Sequence, residues 1–245
     1  MNKLVLTLVA AFAVTALPSV SFAEDSPLSF NLGAFTDYRY RGISQTRLKP
    51  AIQGGVDYAL TGGFYVGAWA SNIQWIKDIP GGDASLEIDL YGGFKGEIQK
   101  GLGYDVGVLT YQYPSNNLNP SANTTELYGA LTFGPATLKY SHGVTNLFGF
   151  INSKNSGYLD LSATFDVSGF SVTPHLGYQK VAKNSDFSYT DYSLTVSKDV
   201  SGFVLSAALI GTDTKTIAGT PAYYYAPTGK DLGKAGLVLG VKKTF

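Results

Sequence analysis

The 245-residue chain contains no cysteine, which excludes thiolate metal sites, thiol chemistry and disulfide bracing. An exported chain of this size then depends on its core or on closed backbone pairing. It also lacks any surplus of positive charge, with 18 Lys and Arg against 18 Asp and Glu. Such a balance invites neither nucleic acid nor an anionic membrane surface. Charge of either sign is scarce, 15% of residues against about 25% in ordinary globular domains. Beyond residue 23 no apolar run reaches the roughly 20 residues of a transmembrane helix. No linker or composition shift divides the chain.

The N-terminus reads as a secretory signal peptide. Lys3 supplies the positive start, Leu4 to Leu17 the apolar stretch, and Ser21-Phe22-Ala23 the small residues of a cleavage site. The expected mature chain runs from residue 24 to 245 as one domain, either soluble in the periplasm or inserted as a barrel. Glycine at 29 residues, tyrosine at 17 and aromatics at 13% favour the barrel.

Apolar and polar residues alternate with period two in twelve segments, an even number: 28–41, 51–60, 64–72, 85–97, 102–113, 124–133, 136–145, 157–167, 170–180, 189–198, 203–213 and 234–245. Five connections are tight and glycine-bearing, at Thr61-Gly62-Gly63, Gln99-Lys100-Gly101, Gly134-Pro135, Ser168-Gly169 and Ser201-Gly202. Between them lie longer polar stretches. Sorting connections by length in this way predicts an all-β, transmembrane, antiparallel up-and-down barrel with short periplasmic turns and longer outer loops.

Phe64, Phe133, Phe165, Phe170 and Phe203 flank the tight turns, and Tyr38, Tyr40, Tyr140 and Tyr178 sit toward the long-loop ends. Rings at both strand ends predict interfacial girdles in outer-membrane lipid. Leu237, Leu239, Val241, Lys243 and Phe245 share one face of the last segment. A Phe closing such a strand resembles the assembly signal of bacterial outer-membrane barrels, which implies the barrel-assembly machinery as a partner.

Parity predicts the lumen. Asp37, Arg39, Arg41, Asp57, Glu87, Asp89, Lys95, Glu97, Asp105, Glu126, Lys139, Asp160, His175 and Asp191 all fall on the inward face. Charges crowded in a narrow interior need partners or water. They either brace the barrel or form a charged constriction. Nine carboxylates against four fixed cations predict a modest preference for cations, unless Arg39 and Arg41 form the narrowest point. His142, in Ser141-His142-Gly143, is the one candidate general base for a surface hydrolase, but no strained serine turn accompanies it. The two histidines lack the short spacing of a metal site, and no motif for a cofactor is present.

Three blocks, Thr36 to Thr46, Pro50 to Tyr58 and Gly63 to Asn72, together with Lys243-Thr244-Phe245, resemble the TorF-type porin family of proteobacteria. The resemblance implies an outer-membrane barrel of about this size and brings no catalytic residues. The expected activity is therefore passive diffusion of small hydrophilic solutes or ions. An outer-leaflet hydrolase using His142 and a non-conducting structural or adhesive barrel are the alternatives.

Overall fold

A computed structural model describes residues 26–225 and 227–245. The signal-peptide segment, Met1 to Ala23, lies outside the described residues. Twelve strands form the wall: β1 Leu28–Phe35, β2 Ala51–Ala59, β3 Phe64–Asn72, β4 Leu86–Gln99, β5 Leu102–Gln112 and β6 Thr124–Phe133. They continue as β7 Ala136–Gly143, β8 Gly157–Ala163 with Phe165–Val167, β9 Phe170–Lys180, β10 Tyr189–Val200, β11 Phe203–Thr212 and β12 Gly236–Thr244. Each strand pairs antiparallel with its neighbours in sequence. β1 closes the ring on β12, from Asn31 opposite Thr244 to Phe35 opposite Gly240. Closure leaves no strand edge unpaired, the condition for a sheet to exist in lipid.

Alternation sets the two faces. Leu32, Ile52, Leu90, Leu131, Leu161, Leu194, Leu209 and Leu239 all point outward and are exposed, a continuous apolar belt. At the tight-turn end the belt finishes in Phe64, Phe133, Phe165, Phe170, Phe203 and Phe245, all exposed as the sequence predicts. Lys243 lies there with its Nζ 4.7 Å from the centre of the Phe203 ring, a long side chain resting on the girdle. Tyr140 and Tyr178 are exposed toward the other end. The tight turns follow from local chemistry. Ser168-Gly169 and Ser201-Gly202 both have two successive residues at positive φ, the two-residue turn whose twist matches the flanking strands.

Two expectations need correction. β1 stops at Phe35 rather than running to Arg41. Tyr38 and Tyr40 are therefore not part of an outer girdle; they are buried, 2% and 8% exposed. The segment after β1 folds inward as a small hairpin in which Arg39–Tyr40 pairs with Ile43–Ser44. Arg41 and Gly42, both at positive φ, make its turn. A Cβ at Gly42 would stand 2.8 Å from the Asp191 Cβ, so the hairpin tip touches the wall at β10 and β11 and only glycine fits.

Candidate functional site: the hairpin, the lumen and the aromatic cup

The hairpin occupies the long-loop half of the barrel. Its backbone is tied to the rim by Ser44 N to Leu232 O at 2.9 Å and by Gln74 N to Gln45 O at 2.8 Å. Asp37 and Arg39 brace it from within. The Arg39 Nε donates to Asp37 at 2.5 Å, while its Nη1 reaches the carbonyls of Gly42, Leu232 and Lys234 at 2.9, 3.0 and 3.1 Å. Arg39 thus ties the hairpin to the segment leading into β12.

Arg41 at the tip crosses the lumen. Its guanidinium donates to Glu126 through both terminal nitrogens, at 3.0 and 2.7 Å, and to Gln179 Oε1 at 2.6 Å. The rings of Tyr40 and Tyr158 lie on it at 4.7 and 4.2 Å. A planar, bidentate, stacked arginine loses little entropy per bond formed, so this is a rigid clamp between the hairpin and two distant strands. Glu126 is held further by Tyr111, whose hydroxyl stands 3.2 Å away and takes a 2.8 Å bond from Tyr40. Glu87 accepts from Tyr38 at 2.8 Å. Asp89 is buried beside them, and its carboxylate makes no hydrogen bond to another described residue.

Across the lumen, His175 Nε2 lies 2.7 Å from Asp160 and its Nδ1 3.6 Å from Asp191. Tyr158 donates to Asp191 at 3.0 Å. Nearer the tight turns the interior is wetter. Lys95, Asp105, Lys139 and Lys242 are half-exposed, Asp57 accepts from Tyr91 at 2.5 Å, and Asp105 from Tyr65 at 2.6 Å. Ten of the fourteen predicted residues therefore lie on the inner face of wall strands, whereas Asp37, Arg39 and Arg41 lie on the inserted segment after β1. Glu97 lies at the turn end of β4, where it is exposed and accepts from Gly101 N at 2.6 Å, beside a strand irregularity. Lys242 belongs with the inward cations. It alternates with the outward Val241 and Lys243, a parity legible in the sequence and not drawn from it.

A second pattern escaped the sequence reading. Several inward tyrosines lie flat along the wall over glycines of neighbouring strands. Asp57, Gly67 and Tyr91 share one row, so Tyr91 crosses Gly67 to reach Asp57. Tyr65, Gly93, Gly107 and Tyr128 share another, and the two hydroxyls meet over the paired glycines. A Cβ at Gly93 would stand 2.5 Å from the Tyr65 hydroxyl. The glycines let large rings line the wall instead of filling the bore.

Above the hairpin the long loops enclose a cavity of 360 Å³. One side is a run of edge contacts, Trp75 to Tyr113 at 5.4 Å, Tyr113 to Phe148 at 6.4 Å and Phe148 to Tyr40 at 5.4 Å. The other joins Phe150, Phe187, Tyr223 and Tyr189, with Phe187 to Tyr223 at 5.8 Å and Tyr223 to Tyr189 at 5.4 Å. Burial raises the Tyr223 hydroxyl above its ordinary pKa, and it stays a donor to the Phe187 carbonyl at 2.7 Å.

His142 is not part of this interior. It lies on the outer wall, 3.4 Å from the Tyr140 hydroxyl and 3.3 Å from Asn155 Oδ1. Among the described residues it has no hydrogen bond to a serine or a carboxylate.

A closed antiparallel barrel with an apolar outer face is the architecture of outer-membrane β-barrels. The fold resembles the KdgM porin solved in complex with disordered oligogalacturonate: TM-score 0.57, 8% identity, 89% of this chain and 99% of that one. It also resembles the NanC porin, with a TM-score of 0.52, 10% identity, and 89% and 98% covered. No curated protein sequence matches the chain. The chain belongs to Gcw_chp, a family of bacterial proteins of unknown function, whose pattern it matches over residues 22–245.

Proposed function

We propose that this protein is an outer-membrane channel that passes small hydrophilic solutes or ions by passive diffusion. The observation that carries the reading is the division of the barrel into an apolar outer wall and a charged interior. A soluble barrel would reverse the first and has no use for the second. On this reading Met1 to Ala23 directs export and is removed, and the tight turns face the periplasm. The barrel-assembly machinery recognises the last strand through Phe245, whose backbone exchanges hydrogen bonds with Phe30 of β1 at 2.8 and 3.2 Å. The TorF-type assignment rests on the residue blocks of 36–72 and sits beside the family match. Catalysis has no part in the proposal, because His142 has the surroundings of a girdle residue.

Asp37, Arg39, Arg41, Asp57, Glu87, Asp89, Lys95, Asp105, Glu126, Lys139, Asp160, His175 and Asp191 line the route. Arg39 is neutralised by Asp37 and Arg41 by Glu126, which leaves neither as an anion filter. Lys242 narrows the carboxylate surplus without removing it. A low-dielectric wall focuses what remains onto the axis and favours cations, less so as salt rises. The test is current through the purified protein in a planar bilayer. Discrete steps with a cation-leaning reversal potential are expected; no current under any condition would sink the channel.

A further inference from the structure

We infer that the aromatic cup above the hairpin is a binding site for a small organic ammonium cation, such as a quaternary or alkylated amine, at the entrance to the lumen. This rests on the channel reading and adds a solute class to it. The cavity volume suits a small ligand. No lysine or arginine is among its lining residues, and its charged liner is an acid, Asp78. Ring faces are negative, and a desolvated cation over them is stabilised. The protein already uses such contacts nearby. Arg47, which holds Asp78, lies 4.5 Å over the Tyr225 ring, and Arg41 lies under Tyr40 in the floor.

Charge and hydrogen bonding separate this ligand from its competitors. An anion would meet ring faces and no unpaired cation, since Arg47 is held by Asp78 and Arg41 by Glu126. A neutral sugar needs several free donors and acceptors, but most of the cup's polar side chains spend theirs internally, and the unpartnered Trp75 Nε1 offers a single donor. The Gln179 amide donates to Gly157 and Lys180 carbonyls while its oxygen accepts from Arg41. The Gln45 amide donates to Ile43, Tyr40 to Tyr111, and Tyr223 to Phe187. An alkylated ammonium asks for none of these groups, only for ring faces.

The protein has two tryptophans, and Trp75 lines the cup while Trp69 packs on Tyr38 inside the barrel. Full-length protein carrying Trp69→Phe therefore reports on the cup by fluorescence. Tetramethylammonium chloride should give a saturable change that matched sodium chloride, neopentyl alcohol and glucose do not. Phe148→Leu with Tyr223→Leu keeps the lining apolar but removes two ring faces, and should weaken the titration about tenfold. Saturation-transfer NMR of the ammonium methyl protons on wild-type protein gives the same answer without a variant. No saturable response in either measurement, or an equal response to neopentyl alcohol or glucose, overturns the inference. Heat-modifiable mobility of the sample shows that the barrel is intact. A failed titration then removes the cup, whereas absent current with a good titration removes the channel.

Discussion

The two halves of the lumen are built from the same alternating strands and end up unlike. Toward the long loops, Asp37, Arg39, Arg41, Glu87, Asp89 and Glu126 are all 5% exposed or less, locked around the inserted hairpin. Toward the tight turns, Lys95, Asp105, Lys139 and Lys242 stay half-exposed, and tyrosines lie flat on glycines. The difference comes from one short segment. The wall supplies a charged bore of roughly uniform chemistry, and residues 36–46 turn its upper half into a packed, ion-paired constriction. On the proposed channel reading, control of passage belongs to the hairpin, and the wet half shapes only the field.

The largest expected effect comes from removing the clamp. Arg41→Ala leaves Glu126 buried without its partner, at a cost of about 3–5 kcal/mol. Urea unfolding followed by heat-modifiable mobility should register this loss. Arg41→Ala combined with Glu126→Ala should recover part of it, since no lone charge remains. Equal stability of Arg41→Ala and wild type would mean the clamp is not closed in the membrane.

Next in size is the wall itself. Gly93→Ala drives the Tyr65 ring off its seat and should cost about 1–3 kcal/mol by overpacking. Ala at Gly101, where a Cβ meets no atom within 4 Å but φ is positive, separates backbone strain from the ring clash. If Gly93→Ala proves as stable as wild type, the ring rows are ornamental.

Smaller in energy, and aimed at biogenesis, is the girdle. Asp in place of Phe245 costs about 0–1 kcal/mol near an interface, yet it should lower the assembled fraction in outer-membrane preparations more than Asn155→Asp in a loop. Equal assembly of the two would make the closing aromatic incidental. The smallest effect belongs to the wet half. Asp57→Asn with Asp105→Asn should reduce the cation preference seen in reversal potentials, with a difference that fades at high salt. A larger change there than from the hairpin would reverse the ranking of the two halves.

Much of this architecture is legible from alternation. Strands 64–72, 124–133 and 170–180 match their predicted bounds, and the glycine turns sort the connections correctly. Alternation failed at Tyr38 and Tyr40 because a hairpin continues the same period as the strand before it. The local clue was Arg41-Gly42, a turn pair in the middle of an apparently unbroken run. The tyrosine–glycine rows were hidden for another reason. They depend on register across three or four strands, and no single segment carries register. Partners such as Glu126 and Gln179 for Arg41 are separated from it by the same long-range pairing.

The central claim is that the hairpin is the narrow point of an open barrel. Single-channel conductance of wild type and Arg41→Ala, recorded side by side in planar bilayers, tests it most directly. A small cation-leaning conductance in the wild type and a larger one in Arg41→Ala is the predicted result; identical conductances, or silence from both proteins, would contradict it.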